Sequence, residues 1–359
     1  MSAQFGLINI LKAGAAQLIV LHHLAFYGPM ADHARFLWPD LFDWLADSAR
    51  IAVQVFLVVG GFLAAKSLSP AGRPGHPDPL GAIWRRYKKL APAFMAATLV
   101  AVIASAWAGA WMTHDSISPP ATAGQVSAHA LLLHGVLGYS SVSAGAWYVA
   151  IDFQLYALVV LAVWLAGRNG TRSAWLVPCL VAAGVALSLL YFNLDSDWDN
   201  WAPYFLGSYG LGLLAWWASD PRRSSHAVLL LVAMALLPVL VGLMVDFRSR
   251  IALALVVAGA LFLFGRIQTQ STGFGWSAVN ALARSSYSVF LIHFPVCLVV
   301  NAAFTRFVPA DPLLQGVGVL LAWCASLVAG AAFFRWVEAP LGRLFMPAAP
   351  QRHAGSVPT

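Results

Sequence analysis

The 359-residue chain is 60% hydrophobic and only 10% charged, with a mean hydropathy of +0.75. Soluble domains carry about 25% charged residues, so composition excludes a water-soluble globule and points to a polytopic membrane protein. The 15 Trp and 21 Phe exclude a disordered chain, and the net charge of +7 is spread between apolar segments rather than gathered on one domain, against a nucleic-acid partner.

In chain order the apolar segments are residues 5–27, 51–68, 90–111, 147–167, 174–192, 202–218, 227–245, 251–265, 286–304 and 313–334. Each has about the length that a ~30 Å hydrocarbon core requires. The expected fold is therefore all-α and polytopic, with about ten transmembrane helices and an extra interfacial or re-entrant helix over 126–137. Placing both termini in the cytoplasm puts most Lys and Arg inside and leaves Arg35, Arg50, Arg248, Arg250 and Arg306 outside. Asp32, Asp40, Asp43, Asp47, Asp195, Asp197 and Asp199 fall outside with them. A single transmembrane domain over 1–342 and a short, disordered cytoplasmic tail over 343–359 are expected. The first segment lacks a convincing cleavage site and contains Lys12, His22 and His23, so it reads as an uncleaved helix. The expected location is the cytoplasmic (inner) membrane, multi-pass, with lipids as its surroundings.

Ionisable side chains inside a span are costly and mark functional sites. Lys12 and His23 are separated by about three helical turns, roughly 16 Å at 1.5 Å per residue, and share one stripe of the first helix. His22 points about 100° away from His23, so the two cannot face one metal ion from a straight helix. Arg86 and Lys89, three apart before Ala91-Pro92, are neighbours on one helix face at the expected inner mouth of the third span. Such a pair suits either a phosphorylated ligand or lipid headgroups. Asp152 is the one acid within a confident span, near its outer end, and needs a cation, a histidine or a ligand as partner.

Farther along, Ser286-Tyr287-Ser288 precedes His293 and the helix-kinking Pro295, and a lone histidine such as His293 is more often a packing or hydrogen-bonding residue than a functional one. Gly60-Gly61 reads as a close helix contact and Glu338-Ala339-Pro340 as structural. Cys179, Cys297 and Cys324 lie in apolar spans and read as small core residues. There is no metal-ligand spacing, nucleophile elbow, phosphate loop or dinucleotide fingerprint. His33, His76, His114, His129, His134, His226 and His353 are scattered and individually uninformative.

Together these segments resemble the acyltransferase-3 family of integral membrane acyltransferases, which O-acylate envelope polysaccharides and other extracytoplasmic acceptors. The resemblance runs from the first span to Glu338-Ala339-Pro340. Lys12 and His23 resemble the family's basic residue and histidine of the first span. Arg86 and Lys89 resemble its Arg-x-x-Arg, and Gly60-Gly61-Phe62-Leu63 its Ser-Gly-Phe-Leu. Trp147, Asp152, Phe153 and Tyr156 resemble its Trp-Glu-Phe-Tyr element. Ser286, Tyr287, Ser288, His293 and Pro295 resemble its Ser-Tyr-Ser and His-x-Pro element, and Glu338 with Pro340 its Glu-x-Pro ending. Lys stands for the commoner Arg at Lys12 and Lys89, losing the bidentate fork but keeping the charge, and Asp152 stands for Glu.

The resemblance implies transfer of an acyl group, most simply acetyl, from cytoplasmic acyl-CoA to a hydroxyl of a carbohydrate or glycolipid acceptor outside. Acetyl-CoA or another acyl-CoA is then a donor substrate, and no permanently bound cofactor or metal is expected. His23 would be the general base, with Asp152 orienting a histidine. Arg86, Lys89 and Lys12 would hold the coenzyme phosphates, and His22, His293 and Tyr287 would be accessory. Residues 29–50, 113–126 and 195–201 would shape the acceptor site, with Trp38, Trp44, Trp198 and Trp201 either stacking on a sugar or anchoring at the interface. Two rival readings are a secondary transporter of a sugar- or acyl-bearing metabolite, with Lys12, Asp152 and His293 as a proton relay, and a non-enzymatic scaffold.

Overall fold

The computed structural model describes residues 4–73, 78–168, 174–269 and 274–345. Among them the chain is helical almost throughout: α1 Gly6–Phe26, α2 Pro29–Ala34, α3 Pro39–Asp47, α4 Val53–Leu68, α5 Pro79–Gly109, α6 Ala123–Ala130, α7 Ala146–Arg168, α8 Leu176–Leu190, α9 Ala202–Ala218, α10 Ser225–Val245, α11 Ser249–Phe264, α12 Phe274–Phe307, α13 Pro312–Phe333 and α14 Ala339–Phe345. Eight helices are long and apolar enough to cross a membrane: α1, α4, α5, α7, α8, α10, α12 and α13, where α4, α8 and α13 run on into short neighbouring turns. Two of the ten predicted segments, α9 and α11, are helices of 17 and 16 residues and fall below that length. The C-terminal segment is helical as far as Phe345, and 346–359 lie outside the described residues.

Two helices begin well before their apolar stretch. Pro79 occupies the first turn of α5, and Asp78 caps it by accepting from the Gly81 amide at 2.8 Å, so the helix starts a full three turns ahead of residue 90. Arg86 and Lys89 are therefore interior to a helix rather than flanking it. Helix α12 likewise starts at Phe274 instead of residue 286, which sets Tyr287 and Ser288 mid-helix. The two-residue pairing of Gln4–Phe5 with Gln268–Thr269 ties the start of α1 to the connection before α12.

Side-chain hydrogen bonds set the register. Asn9 meets Asn280 at 2.9 Å, His23 meets His293 at 2.6 Å and the Met30 amide meets Asn301 Oδ1 at 3.0 Å, so α1 and α12 run parallel. Ser208 donates to Gln54 Oε1 at 2.6 Å and Trp217 Nε1 to the Ser69 carbonyl at 2.7 Å, so α4 and α9 also run parallel, over the whole length of α4. These two pack backbone to backbone: a Cβ on Gly61 would strike the Tyr209 carbonyl oxygen, and one on Gly212 the Val58 carbonyl oxygen. Of the cysteines only Cys297 is core; Cys179 and Cys324 are exposed on the bundle surface.

The expected helix over 126–137 is shorter, α6, and the chain after it folds in against α5 and α7. Tyr87 donates to the Ala130 carbonyl at 2.8 Å and Gln154 to the Leu132 carbonyl at 2.9 Å. Leu132 is fully buried with φ +57°, a conformation uncommon for a branched side chain.

Candidate active site

Polar groups gather in three places along the bundle. At one end a cavity of about 1170 Å³ opens between the helices, lined by His22 and His23 from α1. Asp47, Ser48 and Arg50 line it from the first predicted loop, Asp115, Ser116 and Ser118 from the second, and Ser196, Asp199 and Asn200 from the third. Two further segments contribute that the sequence did not single out, His134 to Gly145 and Phe247 to Arg250. Trp38, Trp44 and Trp201 are exposed and, with Trp198, do not line the cavity; Trp147 is the tryptophan in its wall. Trp44 is on α3 and Trp198 packs half-buried against the core, whereas Trp147 is at the first turn of α7 and lines the cavity.

His23 and His293 form a buried, nearly parallel pair, His23 Nδ1 lying 2.6 Å from His293 Nε2 with ring planes 7° apart. The chain of bonds fixes the protons. His293 Nδ1 lies 3.1 Å from the Val289 carbonyl, which only accepts, so that nitrogen carries hydrogen. With His293 neutral, its Nε2 is a lone pair, and His23 Nδ1 must donate to it. The remaining lone pair of His23 is then on Nε2, the nitrogen left free in a residue that lines the cavity. His22 is turned aside and donates Nδ1–H to the Leu45 carbonyl at 2.9 Å, pinning α3 against α1.

Deeper in the bundle Arg86 Nη2 donates to Asp152 Oδ2. The carboxylate expected to orient a histidine is engaged by the arginine expected to hold phosphates. Because α5 begins at Pro79, Arg86 starts inside the bundle and its long side chain reaches α7. Tyr156 lies under the guanidinium with 5.1 Å from its centroid to Cζ. A Cβ on Gly60 would lie 3.2 Å from Asp152 Oδ1 and 3.1 Å from the Tyr209 ring, so glycine keeps α4 clear of the pair. Arg86 Nε and the Tyr209 hydroxyl are buried with no hydrogen-bond partner among the described residues. Tyr287 donates to the Leu90 carbonyl at 3.1 Å, holding α12 to α5.

The third cluster joins Lys12, Lys89 and Glu338, which act on one another electrostatically. Glu338 accepts from Ser288 Oγ and ends a π-helical turn, Phe334–Glu338, a feature frequent at functional sites. Lys12 and Lys89, from helices far apart in sequence, thus share one site. Among the described residues no group of three or more His, Cys, Asp or Glu is placed to hold a metal ion.

A helical membrane bundle with a large polar cavity, a histidine with a free lone pair in its wall and basic residues beyond an internal ion pair has the parts of a group-transfer enzyme. The family model of the acyltransferase-3 domain, described as an acyltransferase domain, matches residues 6–335, and the chain belongs to that family. It is a multi-pass membrane protein of an acyltransferase family. It is also similar to the Regulator of hypoxia-inducible factor 1 of Caenorhabditis elegans, at 22% identity over 422 residues covering 96% of this chain and 80% of that protein. No solved structure matches the chain.

Proposed function

We propose that the protein transfers an acyl group, most simply acetyl, from acyl-CoA on the cytoplasmic side of the inner membrane to a hydroxyl of a carbohydrate or glycolipid in the outer cavity. The observation that carries this reading is the His293-fixed tautomer of His23, which leaves Nε2 as a base in the cavity wall. His23 Nε2 takes the acceptor hydroxyl's proton as the oxygen attacks the thioester carbonyl. The new C–O bond forms, the C–S bond breaks, and the proton passes to the departing thiolate. Such base catalysis contributes about 10²–10⁴-fold. His293, accepting from Nδ1–H, supports the imidazolium that forms in between.

The donor enters from the Lys12–Lys89 end, where two cations suit a polyanionic coenzyme. The pantetheine arm then passes the Arg86–Asp152 pair, and its amides would satisfy the orphaned Arg86 Nε and Tyr209 hydroxyl. Arg86 serves this path as a wall residue held by Asp152, and Lys12 with Lys89 contact the phosphates. The topology in this reading is ten spans with both termini inside; the parallel run of α9 along α4 supports α9 as one of them, since a helix that keeps pace with a spanning helix reaches the same depths. The same orientation puts His23 outside and Lys12 inside.

The deciding measurement is thermal unfolding of the detergent-purified protein with and without acetyl-CoA, for wild type and Lys89→Ala. Lys89→Ala is the cleaner variant, since Arg86→Ala would strand a buried carboxylate. Stabilisation in wild type that is lost in Lys89→Ala is the expected result. No shift at any donor concentration would sink acyl-CoA as donor and favour transport.

A further inference from the structure

The outer cavity contains a second imidazole whose chemistry is unspent. His134 is 1% exposed, lines the cavity, and has neither ring nitrogen hydrogen-bonded among the described residues. A neutral imidazole carries one donor and one lone pair, and burying both unmade is expensive. Its neighbour His129 is the contrast: equally buried, it donates Nδ1–H to the Gln125 carbonyl at 2.8 Å and accepts the Val142 amide on Nε2 at 3.3 Å.

His134 cannot swing away to find partners. Its ring stacks on His129 with centroids 4.0 Å apart and planes 7° apart, and Phe94 lies nearly parallel to both. The segment carrying it is held by Leu132 in the left-handed region, and strain of that kind concentrates at ligand-binding sites. Burial first, and His129 second, push the imidazole down to about 4. It is therefore neutral near pH 7 and a poor general base, and its donor and acceptor are both buried without a partner among the described residues. Chelation with His129 is excluded because both His129 nitrogens are taken.

We propose that His134 is an acceptor-binding residue, giving its N–H to one sugar oxygen and accepting from a neighbouring hydroxyl. This rests on the reading that the outer cavity holds the hydroxyl acceptor. One neutral donor beside one neutral acceptor matches a pair of hydroxyls, and Ser140, Ser141, Ser143 and Tyr139 add further hydroxyl groups to the same wall. His23 acts on the hydroxyl that reacts, whereas His134 holds its neighbours.

The test is a thermal-shift titration of the detergent-purified protein with methyl α-D-glucopyranoside, for wild type, His134→Phe and His134→Gln. His134→Phe keeps the stack on His129 and removes both polar groups; His134→Gln keeps a donor and an acceptor. The expected result is about tenfold weaker binding for His134→Phe, an unliganded Tm equal to or above wild type, and binding near wild type for His134→Gln. Unchanged binding in His134→Phe means that only water fills the site and overturns the proposal. Equal loss in both variants means that packing alone is at work and overturns it too, as does a wild type that shows no shift. Sugar binding that follows the expected pattern without acetyl transfer from acetyl-CoA would uphold His134 and remove the acyl-transfer reading.

Discussion

The His23–His293 pair and the Arg86–Asp152 pair are both buried couples of ionisable groups, and they spend their capacity in opposite ways. Two neutral imidazoles linked by one hydrogen bond leave a lone pair over, and the chain from the Val289 carbonyl decides which nitrogen has it. The ion pair uses charge against charge, and its remaining acceptor and donor valences face a tyrosine-lined interior. The first arrangement is poised to move a proton. The second holds α5 to α7. Motifs of equal prominence in the sequence therefore need not carry equal chemistry.

The sharpest way to break this contrast is His23→Ala. It should lower acyl transfer by about 10²–10⁴-fold while leaving expression and Tm near wild type, assayed as acceptor acylation in proteoliposomes. Retained transfer would end the assignment. Asp152→Asn should do the reverse, lowering stability by about 3 kcal/mol, the low end for a broken buried pair, because Arg86 keeps 23% of its side-chain surface exposed. Joint replacement, Asp152→Leu with Arg86→Met, should recover most of the lost Tm, since no charge is then stranded.

His293 tests the tautomer directly. His293→Ala should reduce transfer about ten- to a hundredfold by releasing His23 Nδ1–H, and His293→Gln, whose carbonyl oxygen still accepts, should restore part of it. Equal activity in both variants would make the pair mere packing. Gly212→Ala should lower stability by about 1–3 kcal/mol, because the added carbon meets the Val58 carbonyl, and calorimetry in detergent would read it.

The last effect is confined to acid pH. Burial lowers His134 to about 4 and lowers His129 as well, whereas unfolded histidine titrates near 6.5. The contribution of His134 to stability is present above 6.5 and lost as pH falls from there toward about 4, by at most about 1.4 kcal/mol per pH unit, and that of His129 is lost in the same direction below 6.5. His134→Phe should flatten the fall of Tm over that interval, and an unaltered slope would show that other groups govern it.

Much of the site was legible because a membrane makes polar residues conspicuous. Lys12, His23, Arg86, Lys89, Asp152 and His293 stand out from apolar surroundings, and helical spacing alone puts Lys12 and His23 on one stripe. Nothing along the chain says that Asp152 takes Arg86, or that His23 takes His293: each bond joins helices far apart in sequence, 66 and 270 residues respectively. His134 left no trace, since a lone loop histidine looks alike whether it faces water or a cavity. Helix starts were missed where Asp78-Pro79 and the segment before Tyr287 extend α5 and α12 beyond their apolar stretches.

By itself the sequence determined a bundle of apolar helices and which of them carry charge, because hydrocarbon tolerates neither unpaired backbone nor stray ions. Its family motifs determined the class of reaction to expect. Tertiary structure decided the pairing: which histidine receives a proton from which, which cation an aspartate neutralises, and which loop turns inward. Those choices depend on close approach between parallel helices, α1 with α12 and α4 with α9, and on the small residues that permit it. Hydrogen bonds act over about 3 Å, and only the packed bundle brings groups that near.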